Sequence, residues 1–473
     1  MERWEDKPKE YCGVFGVYGH PEASHLTYLG LYALQHRGEE SAGIISTDMK
    51  QMYAHRGMGL VADVFTEESL SQLKGPVAIG HTRYSTTGSS LLKNAQPLLV
   101  ETSRGPVAIG HNGNLVNASV LRAELEAHGA LFQTTVDSEI ILHLMSRPKY
   151  RNQEEGLLDT LRQIKGAFTL LLLTDREMIG VRDPNGFRPL CLGKLNGAHI
   201  LASETCALDM IGAQFVREIE PGEVVLINDK GPRFVKPFAP QEIHPSYCIF
   251  EHVYFARPDS TIFGENVHQV RQRLGRQLAR EHPANADFVI PVPDSGNSAA
   301  LGYSLESGIP FEFGITRNHY VGRTFIQPTQ SIRDFKVKVK FNPMRKIMEG
   351  KRVVIVDDSI IRGTTSKARV KSLFEAGAKE VHLRVSCPPS KNPCFYGIDF
   401  PNPKELIANN LPNVEEIRKY LGLTSLGYLS LEGLLAAVKD PKDNYCTACF
   451  SGKYPIDFGR EGDKFVFEKN GCG

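Results

Sequence analysis

The chain has 473 residues, with 55 basic and 54 acidic side chains and a formal net charge of +1. This balance gives no electrostatic basis for binding nucleic acid or an anionic membrane surface. At roughly 100–200 residues per domain the length predicts two or three domains, and no apolar run approaches the roughly 20 residues that a membrane span needs.

Charged side chains dominate residues 1–11, where a secretory signal would need an apolar core. We therefore expect a cytoplasmic protein. In that compartment the nine cysteines are thiols, catalytic groups or metal ligands rather than disulfides.

Short apolar runs in the first half predict the strands of a sheet-based domain, and helical periodicity appears twice. The predicted strands are residues 76–80, 106–110, 168–173, 200–203 and 224–227, and the predicted helices are residues 25–35 and 138–145. Four prolines and little periodicity in residues 231–245 predict a domain boundary, which we set at residue 240.

Cys12 follows the charged segment and begins the apolar residues 12–16. A cysteine at an N-terminus can use its own α-amine as a base, because that amine has a pKa of about 7.7–8.0. An internal cysteine carries an amide nitrogen instead, so a Cys12 nucleophile requires removal of residues 1–11. The alternative is a buried structural cysteine.

Three polar segments, residues 35–43, 80–86 and 110–115, favour the catalytic alternative. Each follows a predicted helix or strand, and polar clusters on rigid elements are typical of functional sites. The residue types suit amide hydrolysis. An Arg pairs with the α-carboxylate of glutamine, an acid holds its ammonium group, and an Asn with the next backbone N–H forms an oxyanion hole.

These segments resemble the glutamine amidotransferases with an N-terminal nucleophile. The similar stretches are Cys-Gly-Val-Phe-Gly at 12–16, Gln-His-Arg-Gly at 35–38, His-Thr-Arg-Tyr-Ser-Thr at 81–86 and His-Asn-Gly-Asn at 111–114. The resemblance implies a propeptide over residues 1–11 and an αββα sandwich over residues 12–240. The implied site residues are Cys12 as nucleophile, Arg83 and Asp137 as glutamine clamps, Arg37 beside the same pocket, and Asn112 with Gly113 as the oxyanion hole.

Strands and helices alternate in the second half, which predicts a parallel sheet with crossover helices. The predicted strands are residues 287–292, 352–356 and 381–385, and the predicted helices are residues 295–307 and 364–376. The whole chain is therefore expected to combine an α+β domain with an α/β domain.

Residues 352–366 place Asp357 and Asp358 at the end of a buried strand, before a Gly-containing and hydroxyl-rich loop that opens a helix. Backbone N–H groups at that helix start, with nearby Thr hydroxyls, suit a 5′-phosphate. The paired acids suit ribose hydroxyls and Mg²⁺, which prefers oxygen ligands. Ligands bind at the carboxyl ends of strands in such sheets, so a ligand-free capped helix is the weaker alternative.

This stretch resembles the phosphoribosyl diphosphate signature of type I phosphoribosyltransferases. Residues 292–299 suit the diphosphate, and the cationic and aromatic residues 317–327 predict a lid. The resemblance implies such a domain over residues 241–473, with Mg²⁺ held by Ser295, Asp357 and Asp358. The implied substrate site comprises Asp294, Ser295, Gly296, Asn297, Ser298, Arg317, Tyr320, Arg323, Asp357, Asp358, Ser359, Arg362, Gly363, Thr364 and Thr365.

Cys446 and Cys449 form a Cys-x-x-Cys motif in a predicted loop that follows a helix around residues 431–438. The motif can be redox-active, bind zinc or hold an iron–sulfur cluster. Cys248, with Cys394 or its rival Cys387, would complete four thiolates. The residues alone leave these alternatives open.

The order of these parts resembles the amidophosphoribosyltransferase family, and within it the branch with a propeptide and a [4Fe–4S] cluster. The resemblance implies cluster ligation by Cys248, Cys394, Cys446 and Cys449. It implies the first committed step of purine biosynthesis, in which glutamine, 5-phosphoribosyl 1-diphosphate and water give 5-phosphoribosylamine, glutamate and diphosphate. It also implies a shielded ammonia channel between two sites, a homotetramer and feedback inhibition by purine nucleotides.

Three alternatives remain at this point. The chain could be another amidotransferase of the same class, which makes a glucosamine phosphate or asparagine, although such enzymes have no use for a phosphoribosyl diphosphate loop. It could be a regulator that binds phosphoribosyl diphosphate without turnover. The cysteines could hold structural zinc, which gives no colour because it is a d¹⁰ ion.

Overall fold

The computed structural model describes residues 12–84, 89–318, 341–399 and 403–457. The elements of the first half are β1 (Gly13–Tyr18), α1 (Ala23–Ala33), β2 (Ser41–Thr47), β3 (Met52–Met58), α2 (Val61–Val64), α3 (Glu67–Gln72), β4 (Val77–Arg83), β5 (Leu98–Thr102), β6 (Gly105–Leu115), α4 (Ala118–Ala127), α5 (Ser138–Met145), α6 (Gln153–Gln163), β7 (Gly166–Thr174), β8 (Met178–Arg182), β9 (Cys191–Leu195), β10 (Ala198–Ala202), α7 (Thr205–Met210), β11 (Gln214–Glu218), β12 (Val224–Asn228) and β13 (Gly231–Val235).

Two antiparallel sheets form the first half, with strand orders β11-β9-β10-β1-β4-β2-β3 and β13-β12-β8-β7-β6-β5. An apolar cluster that includes Val14, Ile79 and Leu171 lies between the sheets. Helices α1 and α7 pack on the outer face of the first sheet, and helices α4 to α6 pack on the second. This arrangement is the αββα sandwich that the first half was expected to form, so the prediction is confirmed.

The carboxyl ends of two strands correct the sequence prediction. The apolar runs predicted strands that end at residues 80 and 110, whereas β4 continues to Arg83 and β6 to Leu115. Backbone pairing with β1 and β2 extends β4, and pairing with β7 extends β6. Ladder hydrogen bonds use backbone groups, so polar side chains do not end a strand that has partners.

The proline-rich stretch of residues 231–245 also contains more structure than expected. Strand β13 pairs with β12 along residues 231–235, where Pro232 lies on the edge of the sheet. An edge position tolerates proline because one side of the strand has no ladder to complete. The first sheet domain therefore reaches at least Val235, and the boundary at residue 240 stays a prediction.

A second set of elements forms the other half. They are β14 (Tyr247–Cys248), β15 (Thr261–Ile262), β16 (Glu265–Asn266), α8 (Val267–Glu281), β17 (Phe288–Pro291), α9 (Asn297–Ser307), β18 (Ile315–Arg317), β19 (Phe341–Pro343), α10 (Arg345–Met348), β20 (Arg352–Asp357), α11 (Thr364–Glu375), β21 (Glu380–Val385), α12 (Ile407–Asn410), α13 (Val414–Leu421), β22 (Ser425–Tyr428), α14 (Leu431–Ala436), β23 (Tyr445–Cys446) and α15 (Ala448–Ser451). A π-helical turn spans Glu251–Phe255.

Strands β17, β20, β21 and β22 lie side by side in a parallel sheet. The central strand β20 is buried on both faces, which is why its sequence is a continuous apolar run. This confirms the predicted parallel α/β sheet. The Cys-x-x-Cys motif was predicted to lie in a loop, but Cys446 belongs to β23 and Cys449 to α15. Short parallel pairing with β14 draws that segment into a strand.

Over the four described ranges, no helix has the length and apolar character that crossing a bilayer requires.

Candidate functional site

Cys12 lies directly before β1, where Gly13 pairs with Thr82 of β4. Side chains alternate along a strand, so Cys12 shares the side of Val14, which faces the space between the two sheets. The Sγ of Cys12 lies 3.6 Å from the carbonyl oxygen of Tyr84. Burial raises the pKa of the thiol to about 11, although the contact with Tyr84 and the charge of Arg83 lower it. The thiol therefore needs a base to act as a nucleophile near neutrality.

Arg83 and Asp137, the two predicted glutamine clamps, both lie close enough to act electrostatically on the Cys12 thiol. Nη1 of Arg83 donates to the carbonyl of Ser89 at 3.3 Å and lies 3.5 Å from a carboxylate oxygen of Glu40. Arg83 ends β4 and Asp137 precedes α5, so different elements bring the two charges to one end of the sandwich.

His111 holds Asp137 in place from the neighbouring strand. Oδ1 of Asp137 lies 3.4 Å from Nδ1 of His111, and Oδ2 accepts the backbone N–H of Leu115 at 2.8 Å. Burial alone would raise the pKa of Asp137, but His111 lowers it below its ordinary value. The carboxylate is therefore ionised at neutral pH, as a partner for a substrate ammonium group must be.

Asn112 and Gly113 lie side by side on β6. The side chain of Asn112 is completely buried, and within the described ranges neither of its polar atoms has a hydrogen-bond partner. An unsatisfied buried amide is costly, so the polar atoms of Asn112 are suited to bind a ligand. Gly113 has φ +151, and a Cβ there would lie 2.0 Å from the carbonyl oxygen of Ala167, so the position accepts only glycine.

Arg37 contacts the backbone of Cys12, and the rest of its guanidinium group is paired with two glutamates. Its Nε donates to the carbonyl of Cys12 at 3.3 Å, and its Nη atoms donate to Glu204 and to Glu251, the latter at 2.7 and 3.1 Å. Arg188 also pairs with Glu251, at 3.4 Å. The predicted contact of Arg37 with glutamine stays a prediction. Glu204 and Glu251 were not predicted as part of the site, because neither belongs to a motif or a periodic pattern.

Asp357 and Asp358 lie at the carboxyl end of β20, and both are almost completely buried. Asp357 accepts hydrogen bonds from Nη1 of Arg369 at 2.8 Å and from the backbone N–H of Asp358 at 3.0 Å. Asp358 accepts one from Oγ of Ser359 at 2.6 Å. Arg369 was not predicted as part of the site. It is a charged residue on the buried face of α11, and a charge at an otherwise apolar helix position could have indicated a buried acidic partner.

The loop after β17 lies against the end of β20. A Cβ at Gly296 would lie 2.4 Å from the carbonyl oxygen of Val356, so the two backbones touch. The Oδ1 atom of Asn297 is buried and has no hydrogen-bond partner in the described part of the chain. Oγ of Ser298 lies 2.8 Å from Nδ1 of His268. The two predicted loops thus meet at the carboxyl ends of adjacent strands.

Gly363 has φ +79 and precedes α11, whose first two residues are Thr364 and Thr365. That conformation favours glycine and turns the chain onto a helix start, where backbone N–H groups lack intrahelical partners. Ser295 lies in the opposing loop after β17.

The predicted cations are paired with acids. Arg317 forms an ion pair with Asp294, and Nε of Arg362 donates to Glu405 at 2.8 Å. Tyr320 and Arg323 lie outside the described residues, as does the rest of the predicted lid after Asn318.

The four predicted cluster cysteines come from three segments and meet near the boundary of the two halves. Cys248 pairs with Cys446 across β14 and β23. Burial raises the pKa of Cys449, and Cys248, Cys446 and Cys394 raise it further. Cys387 contributes as well, but ranks last among these cysteines.

None of the four is in a disulfide, and Cys248, Cys446 and Cys449 are buried, so a metal would offset the cost of ionising these thiols. Among the described residues, no group of three or more His, Cys, Asp or Glu side chains is arranged to hold a metal ion.

Two family models match the chain. A glutamine amidotransferase domain matches residues 81–210, and a phosphoribosyl transferase domain matches residues 264–397. The first lies within the sandwich and the second contains most of the parallel sheet.

Relatives match over nearly the whole chain. The chloroplastic amidophosphoribosyltransferase of Vigna aconitifolia is 52% identical over 453 residues, which are 96% of this chain and 93% of the relative. The amidophosphoribosyltransferase of Bacillus subtilis is 49% identical over 453 residues, which are 95% of this chain and 94% of the relative.

A solved structure agrees. The glutamine phosphoribosylpyrophosphate amidotransferase of B. subtilis, complexed with ADP and GMP, is 48% identical with a TM-score of 0.91, covering 96% of this chain and 99% of that one. A match of this extent argues against the glucosamine phosphate and asparagine alternatives. The chain belongs to the amidophosphoribosyltransferase family.

Proposed function

We propose that this enzyme transfers the amide nitrogen of glutamine to 5-phosphoribosyl 1-diphosphate, the first committed step of purine biosynthesis. The observation that carries the proposal is the presence in one chain of a buried cysteine on which the charges of Arg83 and Asp137 act, and of two loops that meet at the ends of β17 and β20. The reaction consumes water and yields 5-phosphoribosylamine, glutamate and diphosphate.

At the first site Cys12 is the proposed nucleophile. Arg83 pairs with the α-carboxylate of glutamine, and the ionised Asp137 pairs with its ammonium group. Once residues 1–11 are removed, the α-amine of Cys12 takes the thiol proton and passes it to the leaving ammonia. Asn112 Nδ2 and the backbone N–H of Gly113 donate to the oxyanion. Water then hydrolyses the thioester to glutamate.

At the second site the loop before α11 is proposed to bind the 5′-phosphate, and the loop of residues 294–298 the diphosphate. Asp357 and Asp358 suit the ribose hydroxyls and Mg²⁺, with Ser295 as a further ligand, because Mg²⁺ uses one or two carboxylates together with substrate phosphates. When bound, the ion offsets the charge of the departing diphosphate. Tyr320, Arg323 and their neighbours are proposed to close over the substrate.

Ammonia must pass between the two sites without loss, because at neutral pH most of it is protonated in solvent. We therefore propose a shielded channel. The test is to add ¹⁵N-labelled ammonium at neutral pH with unlabelled glutamine in excess. Little label should enter 5-phosphoribosylamine, and heavy labelling would contradict the channel.

Cys248, Cys394, Cys446 and Cys449 are the proposed ligands of a [4Fe–4S] cluster. Their convergence from three segments and the absence of a disulfide among them fit that group, which would be held by four thiolates and would not need all four around one ion. The cluster enters no step of the reaction proposed here.

The remaining proposals rest on the family or on the sequence. They are a propeptide over residues 1–11, a boundary at residue 240, a cytoplasmic location, a homotetramer and inhibition by purine nucleotides. The family includes a solved relative bound to ADP and GMP, and another described as the allosteric regulatory enzyme of purine biosynthesis.

Cys12→Ser tests the central assignment. In protein cleaved after residue 11, the variant should lose glutamine hydrolysis by a factor of about 10⁴ or more. It should retain synthesis from high concentrations of ammonia, because the second site is untouched. Glutamate release and diphosphate release are measured on the same sample. A variant that still hydrolyses glutamine would contradict the assignment.

That experiment also addresses the regulator alternative. A protein that only binds phosphoribosyl diphosphate would release no diphosphate with either nitrogen source.

A further inference from the structure

A turn from the second half, residues 395–397, lies directly against the proposed oxyanion hole. A Cβ added to Gly397 would lie 3.0 Å from the carbonyl carbon of Gly113 and 3.1 Å from its Cα. The neighbouring Asn114 donates from Nδ2 to the carbonyl of Phe395 at 3.0 Å. Two successive residues of β6 therefore contact the same turn.

The turn is itself firmly held. The ring of Tyr396 stacks on Phe187 with centroids 4.4 Å apart, and its hydroxyl donates to the carbonyl of Ile456 at 3.1 Å. Its carbonyl accepts a hydrogen bond from Arg188. These contacts with both halves of the chain restrict movement of the turn away from β6.

Ala167 also limits the space around Gly113. The carbonyl oxygen of Ala167 on β7 fills the space where a Cβ would stand, and Ala167 pairs with Asn114 in the sheet. The backbone of Gly113 thus lies close to both Ala167 and Gly397. An oxyanion donor must be held to within a few tenths of an ångström to favour the transition state.

We infer that Gly397 and Asn114 are positioning residues, which hold the Cα and carbonyl group of Gly113 so that the N–H on the other side of that Cα points at the oxyanion. The second half thereby completes the hydrolytic site of the first. This inference rests on the proposed role of Asn112 and Gly113. It predicts that a substitution of Gly397 alters glutamine hydrolysis, although Gly397 itself contacts neither glutamine nor phosphoribosyl diphosphate.

Gly397→Ala tests the inference, with Gly422→Ala as the matched control. Both glycines have positive φ, +101 and +73, so alanine strains the backbone at each, but nothing lies within 4 Å of a Cβ at Gly422. In cleaved enzyme Gly397→Ala should lower kcat for glutamine hydrolysis about tenfold or more, because losing an oxyanion donor costs about 10²–10³ in kcat. The KM for glutamine should stay within about twofold, and synthesis from ammonia should be unchanged.

Asn114→Ala gives a second variant that adds no bulk, should Gly397→Ala fail to fold. It should shift kcat in the same direction with the same KM, because it releases one side of the turn.

Asn112→Ala separates failure of the inference from failure of the proposed function. If Asn112→Ala lowers kcat by about 10²-fold while Gly397→Ala behaves like Gly422→Ala, the positioning role is overturned and the oxyanion assignment stands. If Asn112→Ala leaves kcat unchanged, the assignment itself is overturned and the inference with it. A loss of ammonia-dependent synthesis in Gly397→Ala alone would show a general structural defect and would also overturn the positioning role. In the double variant that combines Asn112→Ala and Gly397→Ala, the fold loss of kcat caused by Gly397→Ala should be smaller, because both changes act on one oxyanion.

Discussion

Four fully buried charged side chains form a chain of ion pairs next to Cys12: Arg37, Arg188, Glu204 and Glu251. Two positive and two negative groups balance, and each glutamate has an arginine partner. Arg37 also binds the carbonyl of Cys12, so the cluster fixes the backbone from which the nucleophile projects. Such a cluster contributes little net stability, but removing one member leaves an uncompensated charge.

Glu204→Gln should therefore lower the free energy of unfolding by about 3–5 kcal/mol, measured by urea denaturation. Glu220→Gln is the control, because its ion pair with Lys236 is more than half exposed and an exposed pair contributes about 0–1 kcal/mol. Equal effects of the two substitutions would contradict the buried-cluster argument.

The pH dependence of stability gives a second prediction for Glu204. Burial alone would raise its pKa, but His36 and Arg37 lower it well below the ordinary value of 4.5. The folded state then binds the proton less well than the unfolded state. The stabilisation is present above about pH 4.5 and is lost as the pH falls through the lowered pKa. The stability gap between wild type and Glu204→Gln should narrow when unfolding is measured between pH 5 and about pH 3; a gap that widens on acidification would contradict this sign.

Helix α9 shows how an element presents a loop to a substrate. Gly296 precedes it and touches the end of β20, while Gly308 ends it in a left-handed conformation with open space around it. The helix packs against the sheet, so its first turn and the preceding loop are carried to the strand ends.

Gly296→Ala should raise the KM for phosphoribosyl diphosphate about tenfold or more, because a Cβ 2.4 Å from the carbonyl of Val356 pushes the loop away from β20. Gly308→Ala is the control at the other end of the helix. Its positive φ costs about 1 kcal/mol of stability, and the KM should not change. Ammonia-dependent synthesis measures both, and an unchanged KM in Gly296→Ala would exclude a role for this contact.

At the scale of the whole molecule, the cysteine cluster joins segments that lie far apart in the chain. Cys248, Cys394 and the Cys446–Cys449 pair belong to separate segments, and no disulfide links the described cysteines. A bound cluster would therefore act as a cross-link near the boundary of the two halves.

Cys446→Ala should abolish the broad visible absorbance and the iron content that we expect of protein purified without oxygen. Cys387→Ala is the matched control and should keep both. A colourless wild type that contains zinc would instead support the structural zinc alternative, and loss of iron in Cys387→Ala but not in Cys394→Ala would exchange those two ligands.

Local order in the chain was enough to predict the features that depend on neighbouring residues. Apolar runs and periodicity predicted their strands and helices to within five residues, because burial and backbone geometry impose those patterns. Other elements, such as β2, β3 and α8, were not predicted. Motifs at strand ends indicated Cys12, Arg83, Asn112 and Asp357, because each chemical role needs a particular residue type beside a particular element.

The fold was needed to learn which distant residues meet. It extended β4 and β6 beyond their apolar runs through backbone pairing, directed Arg37 to Glu204 and Glu251, and set Gly397 against Gly113. Contacts of this kind depend on how two sheets and two halves pack. Packing joins residues hundreds of positions apart without leaving a periodic trace in the chain.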